Sequence, residues 1–561
     1  MSNATATAVS ALVTGRPVFR TSELAACARE QGAEAAWRRA FAAGGPHAAA
    51  AVDGDFAVAL REPGGRTLLA VDRFAIRTLC YRVEGGELRF AERADALCDA
   101  AGATLDPQAL FDYLYFHNIP SPRTVFAGVH RLPPGHYALF ENGRLTVAPY
   151  WVAEFRDGEQ ASFDALRERF RTLLHGAVAR QLDGSTPACF LSGGTDSSTV
   201  AGLIGEVASR PAATYSIGFD AAGYDEMEYA RLAARHFGCD HHEYYVTPDD
   251  LVASIADVAA SGDQPFGNSS ALPAYYCAKT ARADGVSRLL AGDGGDELFG
   301  GNSRYAKQRI FGWYGHLPAT LRRGLLEPVL ASPLGRAPLL RKGASYVEQA
   351  RVDMPDRLEM YNLLLRLGVA DVLERDFVAR ISIDAPAREQ RAVWAQAVTG
   401  QPLNRNLAFD WRYTLAENDL PKVRGAAQLA GIGVGFPFLD RELVDFSLAL
   451  PAEYKLKGLK LRWFFKEALR GFLPDATLAK KKQGFGLPFG VWLTRHDGLQ
   501  NLARGSLAGL AARRVVRADF IDRLMNRHLA EHPGYYGEMV WILMMLEQWL
   551  ARHAPAYDGR Q

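Results

Sequence analysis

Phe190-Leu191-Ser192-Gly193-Gly194-Thr195-Asp196-Ser197-Ser198 is the stretch on which the reading of this chain turns. An apolar run stops, two glycines and several hydroxyl side chains follow, and Val200, Leu203, Ile204 and Val207 then recur at the spacing of a helix packed on one side. Glycines let a backbone approach a phosphate closely, and the N–H groups at a helix start point toward it. Ser192, Ser197 and Ser198 can donate to phosphate oxygens, and Asp196 can hold Mg2+ through a carboxylate oxygen. The plainer alternative is a Gly-Gly turn whose serine or aspartate only caps the helix, but capping needs one such residue. Five phosphate-compatible residues together favour a phosphate site. No GxxxxGK[ST] pattern occurs, which excludes the loop of a γ-phosphate-cleaving NTPase.

Outward from this stretch, strands alternate with helices. Residues 187–191, 214–219, 242–246 and 287–291 are predicted strands, and 163–174, 225–237 and 272–283 predicted helices. Such alternation implies an α/β fold with a mostly parallel sheet covered on both faces. Beyond residue 304 strand signals fade, and the remainder to residue 550 reads as helical. Upstream, 23–43 is predicted as one helix, and 56–60, 67–71 and 79–83 as an antiparallel meander. A helix is predicted over 106–116, and 136–140 with 144–148 flank Asn142-Gly143, a strong hairpin signal. The polar stretch 151–162 is the predicted boundary, giving domains 1–152 and 163–553.

Composition narrows the partners. Of 561 residues, 48% are hydrophobic and 23% charged, as in ordinary globular proteins. Lys plus Arg number 64 against 63 acidic residues, so nothing marks the chain for nucleic acid or an acidic membrane. Six cysteines without CxxC pairing argue against disulfides or zinc and fit a reducing cytoplasm. The longest apolar run, 539–546, is too short for a bilayer, and no secretory signal is expected at the start.

Ser-Gly-Gly-x-Asp-Ser is similar to the pyrophosphate-binding loop of N-type ATP pyrophosphatases. With it come Tyr215-Ser216-Ile217-Gly218-Phe219, Asp225-Glu226, His241-His242-Glu243 and Asp263-Gln264-Pro265. Ala291-Gly292-Asp293-Gly294-Gly295-Asp296-Glu297, Phe436-Pro437-Phe438-Leu439-Asp440 and Lys482-Gln483-Gly484-Phe485-Gly486 complete the series. This ordered set resembles the glutamine-dependent asparagine synthetase family. The resemblance implies an adenine nucleotide alpha hydrolase-like parallel sheet with a helical C-terminal part, behind a glutaminase-like (Ntn-type) sandwich. It implies ATP and Mg2+ as cofactors, with Leu191, Ser192, Gly193, Gly194, Asp196, Ser197, Ser198, Ile217, Ala291 and Gly292 around ATP. Asp196 and Asp296 would hold the magnesium ion. Asp293 would take part in forming an acyl-adenylate, and Lys482 would neutralise phosphate charge. The implied reaction activates a small-molecule or peptide carboxylate as acyl-AMP, releases pyrophosphate, and forms an amide with ammonia or an amine. β-Lactam synthetases and lasso-peptide cyclases, which use an amine within the substrate, are the alternative inside this class. A PP-loop tRNA-modifying enzyme and a non-catalytic scaffold stand outside it. Near-zero net charge and unpaired thiols count against the former, intact loops against the latter. The oligomeric state is open, a homodimer included.

The chain also departs from the family. Asp293 stands where Glu is usual and is one methylene shorter. Lys422-Val423 is followed by Arg424-Gly425, where an acidic–basic pair is usual, and Gly433-Val434-Gly435 replaces Glu-x-Arg. The expectation is an acceptor pocket rebuilt for something larger; the alternative is that other packing replaces structural pairs. Gly54-Asp55-Phe56-Ala57, Asp72-Arg73-Phe74 and Leu132-Pro133-Pro134-Gly135 match the second half of the glutaminase-like domain. That domain in the family begins Cys-Gly, its cysteine being the nucleophile, whereas this chain reads Met1-Ser2-Asn3-Ala4 and lacks the Asn-Gly-Glu segment. A degenerate glutaminase is therefore expected, with Cys27 as packing. Lys480 and Lys481 read as a solvated face, and Lys460 and Arg462 rank below Lys482.

Overall fold

Alternating burial along two strands organises the first part of the molecule, a computed structural model that describes residues 10–98, 104–156, 161–331, 338–480 and 486–560. In β2 (Val52–Arg61) and β3 (Thr67–Val71), Phe56, Val58, Leu60, Leu68 and Ala70 face one core; Ala57, Ala59, Leu69 and Val71 face another. With β1 (Ala11–Phe19), β7 (His136–Glu141) and β8 (Arg144–Pro149) they form an antiparallel sheet, ordered β1-β2-β3-β7-β8. Two helices, Ser22–Gln31 and Ala33–Gly44, cover one face through Leu24, Cys27, Trp37 and Phe41. The other face meets a second sheet, β5-β4-β6, built from β4 (Cys80–Glu84), β5 (Glu87–Ala91) and β6 (His130–Arg131). Tyr81 points into that intersheet core, while Cys80 points away, toward the helix Pro107–Phe116. Helices, sheet, sheet and helix make a four-layer αββα sandwich.

Three expectations change here. The single helix over 23–43 is two, broken at Gly32, whose φ is +90°. β1 went unseen because ALVTGRPVF lacks alternation and is only partly buried at the sheet edge. The meander is not one sheet: β3 and β4 belong to different layers. The chain crosses between them at Asp72, a buried carboxylate that accepts N–H groups from Phe56, Phe74, Ile76 and Arg77 at 3.0–3.2 Å. Burial pushes its carboxyl up to about 6 against the bonds from Arg77, Ile76 and Phe74. The predicted hairpin stands, with Asn142 and Gly143 both at positive φ (52° and 73°).

The second sheet system is wholly parallel, ordered β11-β10-β9-β12-β13: β9 (Ala188–Phe190), β10 (Ala213–Phe219), β11 (Asp240–Val246), β12 (Arg288–Leu290) and β13 (Gly433–Gly435). Cys189 and Leu290 pack on helices Phe163–Gln181 and Thr195–Ala208; Ala188 and Leu289 pack on Ala271–Ala283 and Leu420–Leu429. Both faces are covered, as expected. The order of winding reverses between β9 and β12, with β10 and β11 added on one side and β13 on the other, so the loops after these strands open into one crevice. A three-residue Gly-Val-Gly strand carries no propensity signal, which is why β13 was missed.

The two halves share core and charge. Leu110, Phe111 and Leu114 of the sandwich helix lie in one cluster with Val540, Trp541 and Leu543 of the C-terminal helix Pro533–His553, and Tyr113 donates to Ile542 O at 2.8 Å. Among the described residues, no helix is long and apolar enough to cross a membrane. At the same junction Glu417, 4% exposed, accepts from Arg131 (2.7 Å) and Ser121 Oγ (2.7 Å) and pairs with Arg412. Burial alone would raise its carboxyl, but the two guanidiniums outweigh it and hold the pKa below the usual value. A depressed folded pKa gives stability that is present above the unfolded value of 4.5 and lost as pH falls through the folded one. Glu417→Ala should cost about 3–5 kcal/mol in denaturant unfolding, because two cations lose their buried partner. A loss under about 1 kcal/mol would mean the network is solvated.

Candidate functional site

Ser192 to Gly194 follow β9 directly, and the helix Thr195–Ala208 begins without any side-chain cap on its first turn. The N-cap residue is Gly194, so no cap side chain competes with an anion at the helix start. Ser197 Oγ accepts the Ser192 N–H at 3.1 Å and lies 3.0 Å from Ser192 Oγ, so the two hydroxyls face the same loop. The second glycine-rich turn, after β12, carries Gly292 to Glu297. The two turns touch: a Cβ on Gly295 would sit 2.2 Å from Asp196 Oδ1, so only glycine lets that carboxylate in.

Asp196 and Asp296 converge on one nitrogen. Arg462 Nη1 donates to Asp196 Oδ2 at 2.7 Å, to Asp296 Oδ1 at 2.9 Å and to Thr195 Oγ1 at 2.8 Å, while Nη2 bonds Asp196 Oδ1. Arg462 is 4% exposed, has φ +54°, and stacks over Phe465 at 3.9 Å. Burial would lower its pKa, yet the two carboxylates raise it. Ranked low in sequence, Arg462 is the cation that joins the two predicted metal ligands. Its signal was the Lys460–Arg462 segment; its convergence with two distant loops is visible only in three dimensions. Among the described residues, no three or more His, Cys, Asp or Glu side chains group as a metal site. Two carboxylates aimed at one cation nevertheless suit Mg2+, which takes one or two protein carboxylates and completes its shell with phosphate oxygens and water.

A cleft of about 430 Å³ runs from these loops along β10. Leu191, Ser192, Asp196, Ser197, Ser216, Ile217, Gly292, Asp293 and Asp296 line it, and Tyr215, Met227 and Pro273 add apolar surface fit for a planar ring. Gly193, Gly194 and Ala291 lie beside it in the loops. Ser198 is fully buried, and its Oγ, without a hydrogen-bond partner, belongs to the helix underside. Asp293 lies at the cleft floor, 3.9 Å from Lys422 Nζ, which also holds Asp419 at 2.9 Å. Burial pushes the Asp293 carboxyl up to about 6, against the pull of Lys422. Lys482 lies outside the described residues. Lys480 is not a solvated face: its ammonium pairs with Glu226 at 3.2 Å, sits 4.5 Å over Tyr229, and reaches Ser192 O at 3.4 Å.

The Glu-x-Arg replacement has a packing account at Gly435. A Cβ there would lie 2.6 Å from Arg288 Nη2 and 2.7 Å from Gln181 Oε1, so the Arg288–Gln181 contact fills that space. Arg424 has no such replacement and projects instead to the front sandwich, donating to Ile76 O at 2.9 Å.

Residues 169–551 match the asparagine synthase family, and 34–151 match the glutamine amidotransferase domain. The chain belongs to the asparagine synthase family. It is 24% identical over 486 residues to asparagine synthetase [glutamine-hydrolyzing] 1 of Bacillus subtilis, covering 86% of this chain and 74% of that one. A putative asparagine synthetase [glutamine-hydrolyzing] of Mycobacterium tuberculosis is 26% identical over 519 residues, 89% of this chain and 76% of its own. The amidase chyE of Penicillium rubens is 31% identical over 486 residues, 78% of this chain and 70% of its own. The asparagine synthase match thus covers the parallel-sheet half, and the glutamine amidotransferase match covers most of the sandwich.

Proposed function

We infer that this chain is an ATP-dependent carbon–nitrogen ligase that activates a carboxylate as acyl-AMP and passes it to ammonia or an amine. The observation that carries the reading is the meeting of two glycine-rich strand-end loops, with Asp196 and Asp296 on one cation beside an uncapped helix start. In this reading the substrate carboxylate oxygen attacks the α-phosphorus of ATP and the bond to the β-phosphate oxygen breaks, releasing pyrophosphate. The amine nitrogen then attacks the acyl carbon, AMP leaves, and the nitrogen sheds a proton. Mg2+, held by Asp196 and Asp296, would screen phosphate charge. Ser192, Ser197 and the N–H groups of the helix start orient the leaving pyrophosphate, and Lys482 offsets its charge. Arg462 holds both aspartates in position. Asp293, set between Lys422 and the cleft, supports the acyl-adenylate step. ATP–pyrophosphate exchange across a panel of carboxylates, including aspartate, β-amino acids and peptides, tests the reading; exchange with none of them contradicts it.

Two expected outcomes follow from the same groups. Asp293 loses its charge as pH falls through about 6, so kcat/KM should drop about tenfold per unit below that point. Asp293→Asn should lower the rate and flatten this limb; a limb that persists unchanged would assign it elsewhere. The second concerns nitrogen. Cys27 is 3% exposed, packed in the sandwich core, and burial raises the Cys80 thiol far above the usual range. Cys98, the third cysteine of this half, donates its thiol to Ala94 O at 3.6 Å, and we expect no glutamate release from glutamine, with or without ATP. Stoichiometric glutamate, lost on Ser2→Ala, would contradict this.

A further inference from the structure

The even charge of the whole chain conceals a local excess. Between Ser303 and Ala350, Lys and Arg number eight against two acidic residues, while the complete chain stands at +1. The helices Ser303–His316 and Pro338–Ala350 pack on each other through Tyr346, whose ring lies 5.1 Å from Phe311 and 6.4 Å from Tyr314. That aromatic contact occupies one side of Ser303–His316. On another side Arg309 and Trp313 stand one turn apart on a shared face, and Leu317, four residues on, continues it at the helix end. Trp313 is 54% exposed, Leu317 37% and Leu321 39%.

A hairpin is seated beside this face. Arg309 Nη1 donates to Leu456 O (2.7 Å) and Gly458 O (2.9 Å), which holds β14 (Leu456–Lys457) and β15 (Lys460–Leu461) against the helix. Gly458 turns the chain at φ +61°, and Leu459, 44% exposed, stands at the tip between the exposed Lys457 and Lys460. Arg323 and Lys460 are exposed and, among the described residues, have no carboxylate within 4.0 Å. Acidic groups nearby are committed: Glu467, whose field reaches Lys457 and Lys460, pairs with Arg470 at 2.9 Å, and Glu327 pairs with Arg351 at 3.5 Å. Single exposed apolar side chains are ordinary. A tryptophan and three leucines set among unpaired cations have instead the composition of a surface that enters a lipid headgroup layer. The shape agrees, because a leucine on a turn between two lysines protrudes, and a soft interface closes around a protrusion.

We propose that the Trp313 face and the Leu459 tip together dock this protein on an anionic phospholipid surface. The apolar side chains enter the headgroup layer, while Arg323, Lys457 and Lys460 meet lipid phosphate. The proposal stands apart from the adenylation reading. Arg462 follows β15 directly, so the docking hairpin and the arginine that joins Asp196 to Asp296 belong to one segment.

Co-sedimentation with vesicles tests it, using phosphatidylcholine alone and an equal mixture with phosphatidylglycerol. The wild-type chain should bind the mixed vesicles at least about tenfold more tightly, given a gain of about fivefold per cation near an anionic surface. Binding should fall as NaCl rises. Leu459→Ser and Trp313→Ser should each weaken it about tenfold, the scale for burying a large apolar side chain. Lys457→Gln combined with Lys460→Gln should weaken it at least as much through charge. Val18→Ser, 51% exposed on the edge strand β1, should bind as wild type does. Melting temperatures check that the variants stay folded; if Trp313→Ser melts early, Leu459→Ser on the turn decides. Equal binding to both vesicles, binding to neither, or binding that survives in Leu459→Ser and in the lysine pair overturns the proposal. Two further results overturn it by naming another occupant. A dimer that Leu459→Ser or Trp313→Ser splits, without vesicle binding, gives the face to a second copy of this chain. Lysine-dependent binding of poly(U) without vesicle binding gives it to nucleic acid. Failure of the adenylation reading looks different: vesicle binding intact, with no pyrophosphate exchange for any carboxylate.

Discussion

Asp196→Asn and Asp296→Asn should each cut pyrophosphate release by about 10²–10³-fold or more, while far-UV circular dichroism and melting stay near wild type. The reasoning is geometric. Both carboxylates sit in the first helical turn after neighbouring strands and meet on Arg462 Nη1, at 2.7 and 2.9 Å. Asparagine keeps shape and volume but removes the charge that Mg2+ and the arginine need. Each variant leaves one carboxylate on the guanidinium, so no buried cation is stranded and the fold should hold. Loss in one variant with full rate in the other would mean that the pair does not act together. A steady-state pyrophosphate assay at saturating ATP reads this directly.

Lys482→Ala should raise the barrier by about 2.7–4 kcal/mol, as for removal of one preorganised electrostatic donor, with ATP affinity changed far less. A cation that matters only as phosphate charge develops affects turnover more than ground-state binding. Measuring kcat separately from the ATP dissociation constant distinguishes the two. Near wild-type turnover in Lys482→Ala, together with inactive Lys481→Ala, would shift the assignment by one residue. Lys480 is a useful control, since its ammonium is already committed to Glu226 at 3.2 Å. Its loss should act on the positioning of the Ser192 loop.

Particular residues mark how much of this was legible from sequence. The βα units were readable because apolar runs ending in Gly-rich turns, followed by 3.6-residue periodicity, specify a strand, a loop and a covering helix at once. Asn142-Gly143 gave its hairpin because both residues tolerate positive φ. The front sandwich was only half readable. Edge strand β1 has no alternation, and nothing local tells β3 and β4 that they join different sheets; the buried Asp72 corner decides that. Arg462 marks the limit for the site. A left-handed residue joining carboxylates 266 and 166 positions away in sequence has no periodic signature. The two departures divided along the same line: Gly435, in the Glu-x-Arg replacement, is explained by Arg288 packing above it, whereas Arg424, in place of the acidic–basic pair, faces a cavity.

The products of ATP cleavage test the central claim most directly. With a carboxylate that supports turnover, phosphorus NMR of the quenched reaction should show AMP and pyrophosphate in equal amounts, one of each per amide formed. ADP and inorganic phosphate in their place would contradict α-phosphorus attack, and with it the assignment of both loops.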